Sequence, residues 1–321
     1  MSQSHYIKND DDCQVEFLCD KNERGRERPW RVQKLNSQYV AMAYEDVNLN
    51  KSERIFQCAD VLLFSRSGDK LKLKRANFCR VRLCPMCCWR RSLKVHSHMT
   101  RILEAAKSEH YAYIMATFTM QNCKPSDLKS ALDSLLNAYK KLVKRARISR
   151  VWRGWYRGVE ITHNKTDDTF HPHIHALIAV DKRYFKGKDY IKQSELTELW
   201  RSCLGVNYTP IVDVRKTYGS DVKTISEVAK YSTKTSDIID FDDWSLTLET
   251  VRVLDNALNN RRLVAFGGVF KELHAKLNLD DEEQGDLVRV DETSEDVLCS
   301  DKELLYFWHS GYSSYVKGGQ Q

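Results

Sequence analysis

The sequence has no apolar run approaching the roughly 20 residues that cross a bilayer, so no spanning helix is expected. Met1 to Asp12 is polar and partly acidic, which argues against a secretory signal. No segment repeats at a fixed period, so a solenoid or propeller is not expected. Two stretches lack acid altogether. Lys70 to Arg101 holds ten Lys or Arg with no Asp or Glu, and Lys140 to Arg157 holds eight with none. Together these absences predict a cytoplasmic protein without a membrane partner.

What is present is a chain of 321 residues, 42% hydrophobic and 30% charged, long enough for two domains or one with extensions. Its ten cysteines, in a reducing compartment, read as metal ligands or buried thiols rather than disulfides. The net charge of +7 conceals a division. From Asp280 onward there are 11 acidic and 3 basic residues, a net of −8, which leaves +15 on Met1 to Leu279. The two acid-free stretches carry Trp89, Trp152, Trp155 and Tyr156, and cations interleaved with aromatics suit a polyanion-binding surface. Either stretch alone is more simply a solvated helix face.

The chain is polar and without clear period up to about residue 50, which reads as an N-terminal arm over 1–54. Ile55 to Lys74 alternates as a hairpin around Ser67-Gly68-Asp69, and a basic helix is expected from Trp89 to Ser108, so 55–108 forms a small module. Then come a strand (112–120), a helix (126–148), two strands (155–163 and 170–180), a helix (194–204) stopped by Gly205, a strand (209–216) and a helix (221–234). That order predicts an α+β domain over 109–240: an antiparallel sheet with a split β-α-β core, helices on one face and the other face open to a large ligand. A helical block with a flexible acidic tail is expected over 241–321.

The second strand of the pair, His171-Pro172-His173-Ile174-His175-Ala176-Leu177, puts His173 and His175 on one face and Ile174 in the core. If the turn centres between Thr166 and Asp167, Glu160 lies opposite His173 and completes a three-ligand site. Mixed imidazole and carboxylate ligation with open positions suits Mg²⁺ or Mn²⁺. His171 shares that face as a spare ligand or DNA contact. On the expected last helix, Glu227 and Tyr231 stand four apart and Lys234 three beyond, so the three share a face. A phenol becomes a nucleophile when a metal and a cation such as Lys234 stabilise the displaced charge, and Glu227 could then act as a base.

Cys79, Cys84 and Cys87 have the spacing of a zinc knuckle. The fourth ligand to a structural Zn²⁺ is expected to be Cys58, with His96 or His98 as alternatives, whereas Cys88 is too close in sequence to share the ion. The zinc would brace a DNA-binding surface of Arg80, Arg82, Arg90, Arg91 and Lys94, and Lys230 is a further candidate contact.

The combination of HPHIHALI, EVAKYSTK and NFCRVRLCPMCCWRRSLK, with RRLVAFGGVFKELHAKLNLDD (Arg261 to Asp281) beyond, resembles the rolling-circle replication initiators (Rep proteins) of small Gram-positive plasmids, members of the HUH endonuclease superfamily. The likeness covers roughly Ile55 to Leu279. It implies an HUH, palm-like core, with Thr117-Phe118-Thr119 as a structural strand motif, His173 and His175 as the metal-binding pair and Tyr231 as the nicking nucleophile. It also implies a strand-specific nick at the double-strand origin, read as duplex and as single-stranded nick site. The products would be a 5′-phosphotyrosyl bond and a 3′-OH for host polymerase, with a host helicase as a further partner. Glu227 would direct water in the terminating cleavage. Two other readings compete: a zinc-dependent DNA-binding regulator without catalysis, and an HUH transposase or relaxase. Tyr208 and Tyr218 are fallback nucleophiles.

Overall fold

The computed structural model describes residues 15–22, 24–68, 70–217, 225, 229, 234–290 and 302–318. In chain order the elements begin with α1 (Trp30–Tyr44), α2 (Leu49–Phe56), β1 (Val61–Ser67), β2 (Lys70–Ala76) and α3 (Pro85–Ala105). They continue through β3 (Ala112–Thr119), α4 (Leu128–Lys144), α5 (Ala146–Ser149), β4 (Trp152–Asn164), β5 (Thr169–Val180), α6 (Gln193–Leu204) and β6 (Val212–Thr217). Last are α7 (Thr235–Ile238), α8 (Trp244–Leu258), β7 (Val264–Gly268), α9 (Val269–Lys276), β8 (Lys302–His309) and β9 (Ser314–Lys317). The chain forms two compact units, one from residues 1–90 with 286–321, the other from 91–285.

In the first unit, four antiparallel strands lie in the order β2-β1-β8-β9, with Leu62 opposite Tyr306 and Phe64 opposite Leu304. The aromatic segment near the end of the chain is thus structural: Tyr306 and Tyr315 are buried. The expected loose arm contains α1 and α2 instead. The helical period of α1 is hidden because its buried face includes Lys34 and Ser37 beside Trp30, Val40, Ala41 and Tyr44. Lys34 is tolerated there because Nζ donates to the carbonyls of Phe56 (2.5 Å) and Cys58 (3.0 Å) and pairs with Asp60 at 2.5 Å.

The second unit is built on five antiparallel strands in the order β6-β3-β5-β4-β7. The β3–β4 connection runs through α4 and the β5–β6 connection through α6. On β5, Ile174, Ala176, Ile178 and Val180 are buried on one face while His171, His173 and His175 take the other. A one-residue slip would exchange those sets, at roughly 1.5–3 kcal/mol for each large apolar side chain exposed, so the register is firmly held.

Helices cover both faces of this sheet, not one as expected. On the Ile174 face, Tyr139 of α4 and Trp200 of α6 meet Phe118, at ring separations of 5.8 and 5.1 Å. On the histidine face, Val95, Met99 and Ile102 of α3 and Phe270 of α9 form a buried cluster with Tyr113, Tyr156 and Leu177. The strand order alone could not reveal this second layer, because α3 precedes the sheet and α9 follows β7. Ile225 and Ala229 join the same cluster, and the Ala229 amide donates to the Ile225 carbonyl at 2.9 Å.

Two glycines are required by geometry. Gly205 ends α6 with φ of 73°, and at Gly267 a Cβ would stand 2.2 Å from the Trp155 ring, so β7 approaches β4 only because that position is bare. No helix among the described residues is long and apolar enough to cross a membrane. The expected flexible acidic tail begins as something else: Asp280 and Asp281 form ion pairs with Lys94 and Arg262, and Glu282 Oε1 lies 2.7 Å from His274 Nε2.

Candidate functional site

Strand pairing places Glu160 of β4 directly opposite His173 of β5 and Thr117 of β3 opposite His175, so side chains from three neighbouring strands meet on one face. His173 Nε2 and His175 Nε2 lie 3.2 Å apart, and Glu160 Oε2 is 3.5 and 2.9 Å from them. The outer nitrogens are occupied. His173 Nδ1 is 3.1 Å from the His171 carbonyl, which can only accept, and His175 Nδ1 is 3.2 Å from Thr117 Oγ1. Holding the proton on Nδ1 of His173 turns its Nε2 lone pair inward, the usual outer-contact logic of a metal-binding histidine.

His175 Nε2 can donate to Glu160 Oε2, and a cation among the two imidazoles and the carboxylate would take the place of that proton. Burial pushes the Glu160 carboxyl up, but hydrogen bonds and charge from His173 and His175 outweigh it and hold the group well below the ordinary carboxylate range. Burial, then charge on His173, lowers the pKa of His171. Lys234 Nζ reaches Glu160 Oε1 at 3.2 Å with its side chain half open to solvent. The donor set, two nitrogens and one carboxylate, fits a divalent ion. Thr117→Val should weaken Mn²⁺ binding about 10- to 100-fold with the fold intact, as measured by calorimetry.

Lys234 thus joins Glu160, His173 and His175. Glu227, Lys230 and Tyr231 lie outside the described residues, as does Tyr218; the flanking Ala229 and Lys234 are both on the histidine side of the sheet. Tyr208 is described, and its hydroxyl accepts from the Gln121 amide at 3.1 Å. One group escaped the sequence reading. Burial raises the Asp237 carboxyl pKa, and the charge of Glu160 adds to it against Lys234. Its only signal was an acid three residues after Lys234.

The first unit holds the cysteines. Cys58, Cys79, Cys84 and Cys87 converge, with Sγ of Cys87 3.6 Å from that of Cys58 and 3.7 Å from that of Cys79. A tetrahedral ion with Zn–S bonds of about 2.3 Å has edges of about 3.8 Å, so the spacing suits four-thiolate coordination. Amides of Cys79 and Arg80 point at Sγ of Cys58 and Cys87, both at 3.3 Å. Hydrogen bonds among the thiols, then burial, push Cys58 well above its ordinary pKa, so four thiolates require a cation. Cys88 turns away and donates to the Arg82 carbonyl, and His98 belongs elsewhere.

The expected DNA-binding row divides. Arg80 is exposed and Arg82 half-buried. Arg90, Arg91 and Lys94 are buried, which corrects their assignment to a DNA-facing surface. Arg90 donates to the carbonyls of Leu287 and Val288 and lies over Trp30, Phe78 and Trp89; Arg91 donates to the Glu283 carbonyl; Lys94 pairs with Asp280 at 2.5 Å. Their hydrogen-bonding capacity is spent on the chain's own 280–288 segment. Trp152 and Tyr156 are likewise core, and Trp89 packs edge-on against Trp30 at 4.7 Å, so these aromatics are not free to stack on bases.

An antiparallel sheet carrying a His-His-Glu cluster, and a separate unit with a four-cysteine cluster, define an α+β protein with potential metal centres in both units. The family model described as "Replication protein" (Rep_1) matches residues 70–316, and the chain belongs to that family. It is 38% identical to a "Protein rep" of Bacillus amyloliquefaciens, over 94% of this chain and 97% of the relative. It is also 41% identical to a "Protein rep" of a Bacillus species (75% and 85% covered) and 34% identical to one of Streptococcus pneumoniae serotype 2 (94% and 96% covered). No solved structure matches. The likeness read from the sequence to Rep initiators of Gram-positive plasmids is therefore borne out.

Proposed function

We propose that this protein initiates rolling-circle replication of a plasmid by nicking one strand at the double-strand origin. The observation that carries the reading is the His173–His175–Glu160 cluster with Lys234 at its rim. The strand order β6-β3-β5-β4, with helices in both β-α-β crossovers, supports an HUH-like core centred on residues 109–240. A Mg²⁺ or Mn²⁺ ion held by Glu160, His173 and His175 would supply the charge that polarises the scissile phosphate.

Glu160, His173 and His175 hold the ion, and Thr117 and the His171 carbonyl fix the rings. Tyr231 attacks phosphorus, the P–O3′ bond breaks, and the phenolic proton is balanced by the new 3′-OH. One diester replaces another, so the bond energy is retained for rejoining. Lys234 adds positive charge beside the phosphate. In the closing cleavage Glu227 directs water onto the regenerated nick site, and the 3′-OH so released attacks the phosphotyrosyl phosphorus, displaces the Tyr231 phenol and frees the protein. Zn²⁺ on the four cysteines shapes a module that grips duplex origin DNA through Arg80 and Arg82. Host polymerase would extend the 3′ end in the cytoplasm, with a host helicase unwinding the duplex ahead of it.

The test is covalent capture: incubation with a single-stranded origin oligonucleotide in Mn²⁺ gives a protein–DNA adduct. If no origin-like substrate gives an adduct while duplex binding persists, the protein is a regulator instead. Glu227→Ala should leave the first nick within about threefold of wild type and slow termination about 100-fold or more, in line with the loss of a general base. Equal loss of both steps, in a two-oligonucleotide transfer assay, would assign Glu227 a structural role.

A further inference from the structure

A second group of ligating side chains lies in the unit of residues 91–285, away from the sheet pair. His98 comes from α3, His274 from the last turns of α9, and Glu282 from the loop that follows. Glu282 has no exposed surface. Its Oε1 lies 2.9 Å from His98 Nδ1 and 2.7 Å from His274 Nε2. Its Oε2 is buried with no hydrogen-bond partner, the Arg262 guanidinium being 3.8 Å away. On the far side of the His98 ring, Nε2 faces Asp280 Oδ1 at 3.4 Å, and Lys94 holds the other Asp280 oxygen at 2.5 Å.

Proton counting makes the arrangement informative. Both ring nitrogens of His98 face carboxylate oxygens, and carboxylates only accept. A neutral imidazole has one N–H, so it satisfies Asp280 or Glu282 but not both. With the proton on Nε2 toward Asp280, Nδ1 presents a lone pair to the buried carboxylate of Glu282, an arrangement that requires a cation between them. A ring that offers one nitrogen inward while its other N–H meets a carboxylate is the usual setting of a metal-binding histidine. The three ligating atoms lie within 4.8 Å of one another, which bonds of about 2.0–2.1 Å to a tetrahedral ion can span.

We propose that His98, His274 and Glu282 bind a divalent transition ion of the Zn²⁺ class, separate from both the four-cysteine site and the sheet site. The ion ties α3, α9 and the start of the acidic segment to one point. It also accounts for Arg261 to Asp281, a block the nicking chemistry does not use, because that block sets His274 eight residues before Glu282 around a turn. The alternative is a clamp held by protons, in which His98 is an imidazolium and no metal is needed.

Co²⁺ separates the two, because thiolate ligation gives intense charge-transfer bands and nitrogen–oxygen ligation gives only weak d–d bands. The untagged full-length chain carrying His173→Ala and His175→Ala removes the sheet pair while leaving this site intact. Titrated with Co²⁺ after removal of metal, it should take up two ions, one with thiolate bands and one without. Uptake of the thiolate-bound ion alone would overturn the proposal. Adding Glu282→Gln, which keeps the side-chain shape, should abolish the second ion's bands while the thiolate bands persist as an internal check on folding. Retention of the second ion in that variant would remove Glu282 from the site and overturn the assignment.

Discussion

Tyr231→Phe is expected to leave origin binding and Mn²⁺ binding intact and to abolish the covalent adduct, a loss of about 10³-fold or more. The change deletes one oxygen and nothing else, so loss of the adduct would trace to the phenol itself and not to altered packing. The reasons for choosing this phenol are positional. Ala229, two residues earlier, belongs to the same buried cluster as Leu177 on the histidine face, and Lys234, three residues later, touches Glu160. Three residues of chain span at most about 11 Å. Tyr208 is the described competitor, and its hydroxyl already accepts the Gln121 amide. Adduct formation by the phenylalanine variant, located by peptide mapping, would transfer the role to Tyr208 or Tyr218.

Cys84→Ser should have the largest effect on stability. Cys84 is fully buried, with Ser37 Oγ 3.5 Å from its sulfur, and three other thiols surround the same point. Structural zinc sites bind with roughly 10–16 kcal/mol of apparent free energy, as much as an entire domain's folding stability. Losing one thiolate therefore should unfold the cysteine-bearing unit while the sheet of residues 91–285 keeps its protease resistance. Metal analysis should show one fewer zinc per chain, and limited proteolysis should cut first within residues 15–90. Unchanged metal content and unchanged cleavage would reject a zinc site there.

Legibility differs from element to element. Strand β5 is readable because Phe170, Pro172 and Ile174 alternate with His171, His173 and His175, the period of a pleated strand. The same alternation gives the Glu160–His173 pairing, since a short turn fixes the register of a hairpin. The convergence of Cys58 with the knuckle is legible from spacing. By contrast, α1 escapes a reading by period because a lysine and a serine sit on its buried face, and burial of polar groups depends on partners far along the chain such as Asp60. The DNA-facing assignment of Arg90, Arg91 and Lys94 fails for a related reason. Nothing local indicates that residues 280–288, almost 200 positions later, would take up their donors. His98 stands in the sequence as an alternative fourth zinc ligand, yet His274 and Glu282 surround it only after α3 and α9 are packed.

The small sheet sets an order of events during synthesis. β1 is flanked on one side by β2, made within ten residues, and on the other by β8, which a ribosome reaches more than 230 residues later. At roughly 5–20 residues per second, β1 spends more than ten seconds with a bare edge. An unpaired edge of that kind templates intermolecular pairing, and a nascent chain stalled before residue 302 would be exposed to it. The unit of residues 91–285 is complete by then, so the histidine-bearing sheet would be assembled before the cysteine-bearing unit receives its last two strands.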